Sequence, residues 1–190
     1  MAKKYKKEKN YIGLFILFFL LYAIFTFGVD FLENKTKKEN NEELKYKYYE
    51  IKRDNDKSIE VSLDSCIDGD TASFNYNNKI IKARFLAINT PEYSHENIEN
   101  YGLEASTYTC NRLKEASKIV LEYDDKADKV DKYGRELVWV FLDDQLLQLD
   151  LVSSGFAKIK YIYGNYKYLD ALYQAEYGAK QQMVGIWSYN

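Results

Sequence analysis

Asp68 and Asp70 flank a single glycine, Gly69. In an extended segment residues two apart point to the same side, so both carboxylates would share a face. Asp-Gly-Asp is also a common turn, and on its own it reads as one. Arg84 carries more information, because it sits inside residues 80–88, a run apolar enough to be buried. A buried guanidinium needs an anion to offset its desolvation. That anion is either a structural carboxylate or part of a ligand. Asn89-Thr90-Pro91-Glu92 follows at once and holds the chain's single proline. Pro91 biases Thr90 to extended backbone, which can aim its carbonyl and the Glu92 carboxylate at one point. Carbonyl and carboxylate oxygens are what a calcium site uses. With one histidine and two cysteines in 190 residues, zinc-finger and disulfide-dense frameworks are excluded, and any metal must be held by oxygen.

The elements that position these groups follow from periodicity. Ile59, Val61, Leu63 and Ile67 alternate with polar residues, as in a half-buried strand that Asp68-Gly69-Asp70 ends. Phe74 and Tyr76 begin a second strand, Asn77-Asn78 suits a tight turn, and residues 80–88 read as a third strand apolar on both faces. Residues 101–116 have helical spacing, and a strand at 119–123 follows. A strand at 137–142, a helix at 146–152 stopped by Gly155, a strand at 157–163 and a helix through Leu169 and Ala179 complete the chain. About five strands and three helices suggest a small α+β, mainly β, barrel with helices packed on it.

Composition limits the partners. The chain carries a hydrophobic share of 46% and charged residues at 29%, enough for one folded domain. Residues 1–57 hold a net charge of +4 and the remainder −6, so the bulk is acidic. Nucleic acid could then be gripped only at a localised site, since nonspecific affinity comes from Lys and Arg on phosphates. Residues 11–29 are uncharged and follow Lys3, Lys4, Lys6, Lys7 and Lys9. As a helix this run is about 28 Å long, near the bilayer core thickness. It is longer than a typical signal-peptide core and lacks an A-x-A cleavage site. The expected organisation is a basic cytoplasmic tail at 1–10, a transmembrane signal anchor at 11–29, a polar linker at 30–57 and a folded domain at 58–190, placed outside the cell by the charge rule. Cleavage to a secreted form is the competing reading.

Six motifs together resemble the staphylococcal nuclease (thermonuclease) family over essentially all of residues 59–188. They are Ile67-Asp68-Gly69-Asp70-Thr71; Arg84-Phe85-Leu86 leading into Asn89-Thr90-Pro91-Glu92; Tyr101-Gly102 with Glu104-Ala105-Ser106; Asp131-Lys132-Tyr133-Gly134-Arg135; Gly155-Phe156-Ala157-Lys158 with Tyr161 and Tyr163; and Gly185-Ile186-Trp187-Ser188. Each is unspecific alone, and their order and spacing carry the resemblance. It implies a five-stranded OB-fold barrel with three helices, here preceded by a transmembrane helix, and a calcium-dependent phosphodiesterase acting on DNA and RNA. By the same resemblance Asp70 and the Thr90 carbonyl are calcium ligands, with Asp68 behind them. Glu92 orients or deprotonates the attacking water, and Arg84 and Arg135 hold the scissile phosphate. Lys132, Tyr133, Tyr161 and Tyr163 match positions that contact a terminal phosphate and a base.

One position departs from the pattern. Asn89 stands where the family usually has an aspartate that binds calcium directly; its amide oxygen can still serve as a ligand, but the site loses a negative charge. The expectation is therefore a surface-anchored nuclease with weakened calcium binding, or alternatively an OB-fold module that binds nucleic acid without cutting it. No protein partner is expected. His95 reads as a solvent-facing loop residue, since nothing in this chemistry needs imidazole. Cys66 and Cys110 either form a disulfide or do not; their separation is not readable from sequence.

Overall fold

A computed structural model describes residues 51–94 and 98–188, together with Tyr22, Thr26, residues 28–32 and Lys35. The basic tail, most of the apolar run at 11–29, much of the expected linker and His95 lie outside the described residues. No described helix is long and apolar enough to cross a membrane. The chain divides into two compact units, Met1–Tyr48 and Tyr49–Asn190. In the first, the described residues are helical. The second contains all the candidate site residues.

That unit is a closed barrel. Strands β1 (Ser58–Cys66), β2 (Thr71–Tyr76) and β3 (Lys79–Phe85) form an antiparallel meander. Strand β5 (Ile119–Glu122) pairs with the other edge of β1, and β6 (Glu136–Leu142) pairs with β5. A parallel ladder between β3 and β6, with Arg84 opposite Leu137, closes the five-stranded ring. Closure satisfies edge backbone groups that would otherwise face water. The interior is filled from Phe74, Phe85, Leu121, Val138 and Val140, all essentially inaccessible. Two short ladders accompany the barrel: β7 (Gln145–Leu146) on β6, and β4 (Ile88–Asn89) on β8 (Lys158–Ile159). Among the described residues of this unit the α-helices are α1 (Gly102–Glu115), α2 (Leu147–Ser153) and α3 (Leu169–Gln181).

Local chemistry explains most boundaries. Asn77 and Asn78 both have positive φ, 50° and 63°, the signature of the I′ turn whose twist suits a two-residue hairpin. Gly155, at φ 71°, follows α2, where its missing Cβ removes the penalty of the left-handed conformation.

Three expectations are corrected. Residues 80–88 are not one strand: β3 ends at Phe85, Ala87 turns through φ 63°, and β4 leaves the barrel to meet β8. The Asp70 carbonyl accepts from the Phe85 N–H and the Val138 carbonyl from the Leu86 N–H, bonds that carry both ladders to the end of β3, and the left-handed turn at Ala87 then takes the chain away. Nor is β3 apolar on both faces throughout, since Ile80 at its start is exposed. Ile67 is exposed as well, because β1 carries an irregularity between Leu63 and Ser65 that breaks the period of two. Finally, the strand expected at 157–163 is only Lys158–Ile159.

The start of the folded unit also differs from the sequence reading. Residues 51–57, within the expected linker, are tied to the barrel. The Asp54 N–H donates to Glu122 Oε2 (3.1 Å), and the Tyr168 hydroxyl donates to the Lys52 carbonyl (3.1 Å). Glu122 is fully buried and also accepts from Lys167 Nζ (2.7 Å) and shares with the Lys52 carbonyl the single proton of the Tyr168 hydroxyl. A buried carboxylate is tolerated where donors surround it in this way. The polar Asp54–Lys57 segment thus becomes part of the fold.

Candidate active site

Asp70 is the last residue of the turn that separates β1 from β2, and Arg84 is next to last in β3. Thr71 and Arg84 are cross-strand partners, so the ladder brings the two side chains to one end of the barrel. Both are buried, and Arg84 Nη2 lies 2.9 Å from Asp70 Oδ2. This answers the question left by the sequence: the buried guanidinium has a carboxylate of its own chain. Arg84 also donates through Nη1 to the Phe85 carbonyl (2.9 Å) and through Nη2 to Asn89 Oδ1 (3.3 Å).

The exit of the chain into β4 adds two more members. The Thr90 N–H donates to Asp70 Oδ2 (3.0 Å), and Asn89 Nδ2 donates to the Thr90 carbonyl (2.9 Å). Asp70, Arg84, Asn89 and Thr90 thereby form a closed hydrogen-bonded ring. The Asp70 carboxylate also accepts from the Thr71 hydroxyl (3.1 Å). Asp68 supports the turn behind it, its Oδ1 accepting from the Asp70 N–H (2.9 Å). Burial nonetheless pushes the Asp70 carboxyl up to about 6, over the opposing pull of Arg84 and the Thr90 N–H. Its negative charge is therefore incompletely compensated by the protein.

Glu92 is exposed two residues beyond Thr90. Its N–H donates to Glu99 Oε2 (3.1 Å), and its carbonyl accepts from the Glu99 N–H (2.9 Å). Gly102 lets this loop pack on α1, since a Cβ there would stand 2.3 Å from the Glu92 carbonyl oxygen. The position of Glu92 is thus fixed by its main chain.

Arg135 belongs to a second group, immediately before β6. Parallel pairing sets Leu137 opposite Arg84, which places Arg135 two residues before that point, at the entry to the adjoining strand. Its Nε and Nη2 each lie 2.7 Å from Asp131 Oδ2. Desolvation raises the Asp131 carboxyl, but the N–H groups of Arg135 and Tyr133 and the guanidinium outweigh it and hold it below its ordinary value. The Tyr133 ring lies beside this group, 5.4 Å from Arg135 Cζ and 4.9 Å from Lys132 Nζ, distances at which cation–π attraction operates.

The β4–β8 ladder brings in the tyrosines. Asn89 is opposite Lys158, and the Lys160 N–H donates to the Ala87 carbonyl (3.0 Å). Tyr161 follows with φ 60°, and its ring centre is 5.6 Å from Arg84 Cζ and 5.2 Å from Lys160 Nζ. Tyr163 is 84% exposed and is positioned by a bond from its N–H to the Tyr166 hydroxyl (3.2 Å).

Two kinds of contact escaped the sequence. The Asp131–Arg135 clamp is an i, i+4 pair inside a motif already singled out, so its spacing was a usable signal. The Thr109 hydroxyl donates to the Gly69 carbonyl (2.7 Å) from within α1, forty residues away, and no local pattern announces that. The cysteines do pair: Cys66 and Cys110 are joined, with Cα atoms 5.6 Å apart.

As donors for a cation the group is all oxygen: the Asp70 carboxylate, the Asn89 amide oxygen and the Thr90 carbonyl, with Glu92 close in sequence. This is the chemistry of a hard divalent ion. The buried, under-compensated Asp70 charge fits it too. Among the described residues no three acidic, histidine or cysteine side chains converge, so the set relies on amide and main-chain oxygens.

Comparison with known proteins gives a consistent result. Residues 82–189 match the family model described as "Staphylococcal nuclease homologue". The SPbeta prophage-derived endonuclease YokF of Bacillus subtilis (strain 168) is 38% identical over 135 residues, covering 70% of this chain and 45% of that protein. Endonuclease YncB of the same organism is 39% identical over 135 residues, covering 70% of this chain and 63% of its own length. A thermonuclease of Staphylococcus hyicus is 37% identical over 124 residues, 64% of this chain and 72% of that one. The chain therefore spans less than two thirds of the length of the two Bacillus endonucleases.

Proposed function

The chain belongs to the staphylococcal nuclease family, and we propose that its folded unit is a calcium-dependent, sequence-nonspecific nuclease hydrolysing phosphodiester bonds of DNA and RNA. The observation that carries this reading is the ring of Asp70, Arg84, Asn89 and Thr90, with Arg135 immediately before β6, the strand whose Leu137 pairs with Arg84. A permanent cationic fork beside the incompletely compensated Asp70 carboxylate, with a second fork at Arg135, suits a reaction in which a phosphodiester gains negative charge.

Each residue then has a task. Arg84 and Arg135 bind the scissile phosphate and stabilise the charge that builds on it, each held in place by a carboxylate, Asp70 and Asp131 respectively. Glu92 orients a water molecule for attack and takes up its proton. Lys132 binds a terminal phosphate, and Tyr133, Tyr161 and Tyr163 offer ring faces to bases. Asp70, Asn89 and Thr90 would hold calcium, which when bound supplies positive charge to the phosphate oxygens. Asp68 keeps the Asp70 main chain in place.

The test is cleavage of single-stranded and double-stranded DNA and of RNA by the purified protein, with calcium and with chelator. Calcium-dependent cleavage is expected. A folded protein that binds these polymers and cuts none of them would establish the second reading, a nucleic-acid-binding OB-fold module. What favours that alternative is the ring itself, in which the Thr90 carbonyl and the Asn89 amide oxygen are already satisfied by donors of the protein.

Location follows from the same proposal. The uncharged run at residues 11–29 behind five lysines supports a single-pass anchor with the nuclease outside. Protease added to intact cells should remove the folded unit, and protection until lysis would refute that orientation.

A further inference from the structure

We infer that helix α1 positions Asp70, acting through Thr109 and the Cys66–Cys110 disulfide, and that opening this disulfide slows the reaction at the site. The inference rests on the nuclease reading for its effect on rate, though not for its effect on structure. Cys66 is the last residue of β1, and four positions later stands Asp70. Cys110 and Thr109 are adjacent in α1. One is covalently bonded to the strand end, and the other, fully buried, donates its hydroxyl to the Gly69 carbonyl (2.7 Å).

On its other side the turn abuts Thr90. A Cβ on Gly69 would stand 2.6 Å from Thr90 Oγ1 and 2.8 Å from Thr90 Cβ and Cγ2. The turn is thus wedged between α1 and the residue whose N–H binds the Asp70 carboxylate. Movement of α1 away from Cys66 releases one wall of this wedge. A carboxylate that must meet an ion, and an arginine that must meet a phosphate, both lose rate steeply when displaced by about 1 Å.

The chemistry of release is thiol–disulfide exchange. A dithiol reductant gives two electrons to the bridge; the Cys66–Cys110 sulfur–sulfur bond breaks, two thiols form, and the reductant becomes a cyclic disulfide. Both cysteines are half-buried, within reach of a small dithiol. The oxidised protein is then the fully active form, and a reducing compartment holds the site loosened.

The experiment compares the full chain, oxidised and under dithiothreitol, in cleavage of single-stranded DNA, in calorimetric calcium binding and in amide hydrogen exchange at Gly69 and Asp70. Reduction should lower kcat by about tenfold with KM nearly unchanged, weaken calcium binding and speed exchange at the Asp70 N–H, which is bonded within the turn. The Cys66→Ala/Cys110→Ala variant should resemble the reduced form and ignore dithiothreitol. Thr109→Val should reproduce the effect with the disulfide intact, and Thr109→Ser should restore it, so a reduced protein that fails to fold leaves the inference open to refutation. Unchanged exchange and calcium affinity in Thr109→Val would overturn it. A lack of cleavage by the oxidised protein, with exchange still responding to reduction, would instead overturn the proposed activity and uphold the positioning role.

Discussion

The Thr90 N–H donates to Asp70 Oδ2 across 3.0 Å, joining two residues twenty positions apart. This bond ties the Asp-Gly-Asp turn to the Asn-Thr-Pro-Glu segment, so two motifs that look independent along the chain form one site. Four expectations follow from the way that site is assembled.

Gly69→Ala should destabilise the protein. The added Cβ falls within 3 Å of three Thr90 side-chain atoms, and Thr90 is buried and branched at Cβ, so its side chain cannot swing clear. Overpacking of this kind costs roughly 1–3 kcal/mol. Gly178→Ala is the contrast: it lies inside α3 with nothing within 4 Å of the new Cβ, and should stabilise by about 0.5–1 kcal/mol. Urea denaturation of both variants checks the pair, and equal midpoints would contradict it.

Arg135→Lys should lower turnover by about 100-fold while the fold is retained. Lysine keeps the charge but cannot place two parallel N–H groups on one phosphate, nor two on Asp131 as Arg135 does now. Turnover equal to that of the unmodified protein, measured on single-stranded DNA, would remove Arg135 from the phosphate site.

Asn89→Asp should lower the calcium concentration that half-saturates cleavage. The change adds a carboxylate, and calcium affinity is tuned by carboxylate count. It also removes the Nδ2 donor that now engages the Thr90 carbonyl, leaving that oxygen available. The unmodified protein should saturate at about millimolar calcium. If the variant needs as much calcium or more, residue 89 does not contact the ion.

Asp70 should give the calcium-free protein a distinctive pH response. Burial raises its carboxyl from the ordinary 3.8 to about 6, so between those values the folded state binds the proton more tightly than the unfolded state. Unfolding free energy attributable to this group therefore falls as pH rises from 3.8 to about 6, and the deficit persists above. In Asp70→Asn the melting temperature, recorded in chelator across that window, should lose this downward component. Identical pH slopes for the two proteins would mean that Asp70 titrates normally.

Much of this protein was legible from local pattern because the physics involved is local. Alternation marked β1, helical spacing marked α1 and α3, and Asn77-Asn78 marked its own hairpin turn through the rare tolerance of asparagine for positive φ, whereas the second strand, expected to begin at Phe74 and Tyr76, ends there, since β2 runs Thr71–Tyr76. Asp70, Arg84 and the Asn89-Thr90-Pro91-Glu92 segment were also available as candidates, since side-chain chemistry is written residue by residue, while Arg135 became a candidate only through the resemblance of its motif to the family's.

Which of these groups touch was decided by tertiary structure. Periodicity cannot show that β3 runs beside β6, and that parallel ladder sets the stagger between Arg84 and Arg135. It cannot show that an apolar run breaks at Ala87, because the break is a positive-φ turn that sends β4 to pair with the distant β8. Burial made an anion necessary for Arg84; the fold selected Asp70. The Cys66–Cys110 bridge depends on the distance between a strand end and a helix, which exists only once the barrel has closed and α1 has docked. Residue types state what chemistry is available, whereas contacts between distant segments are a property of packing, where burial, register and backbone pairing must be satisfied together.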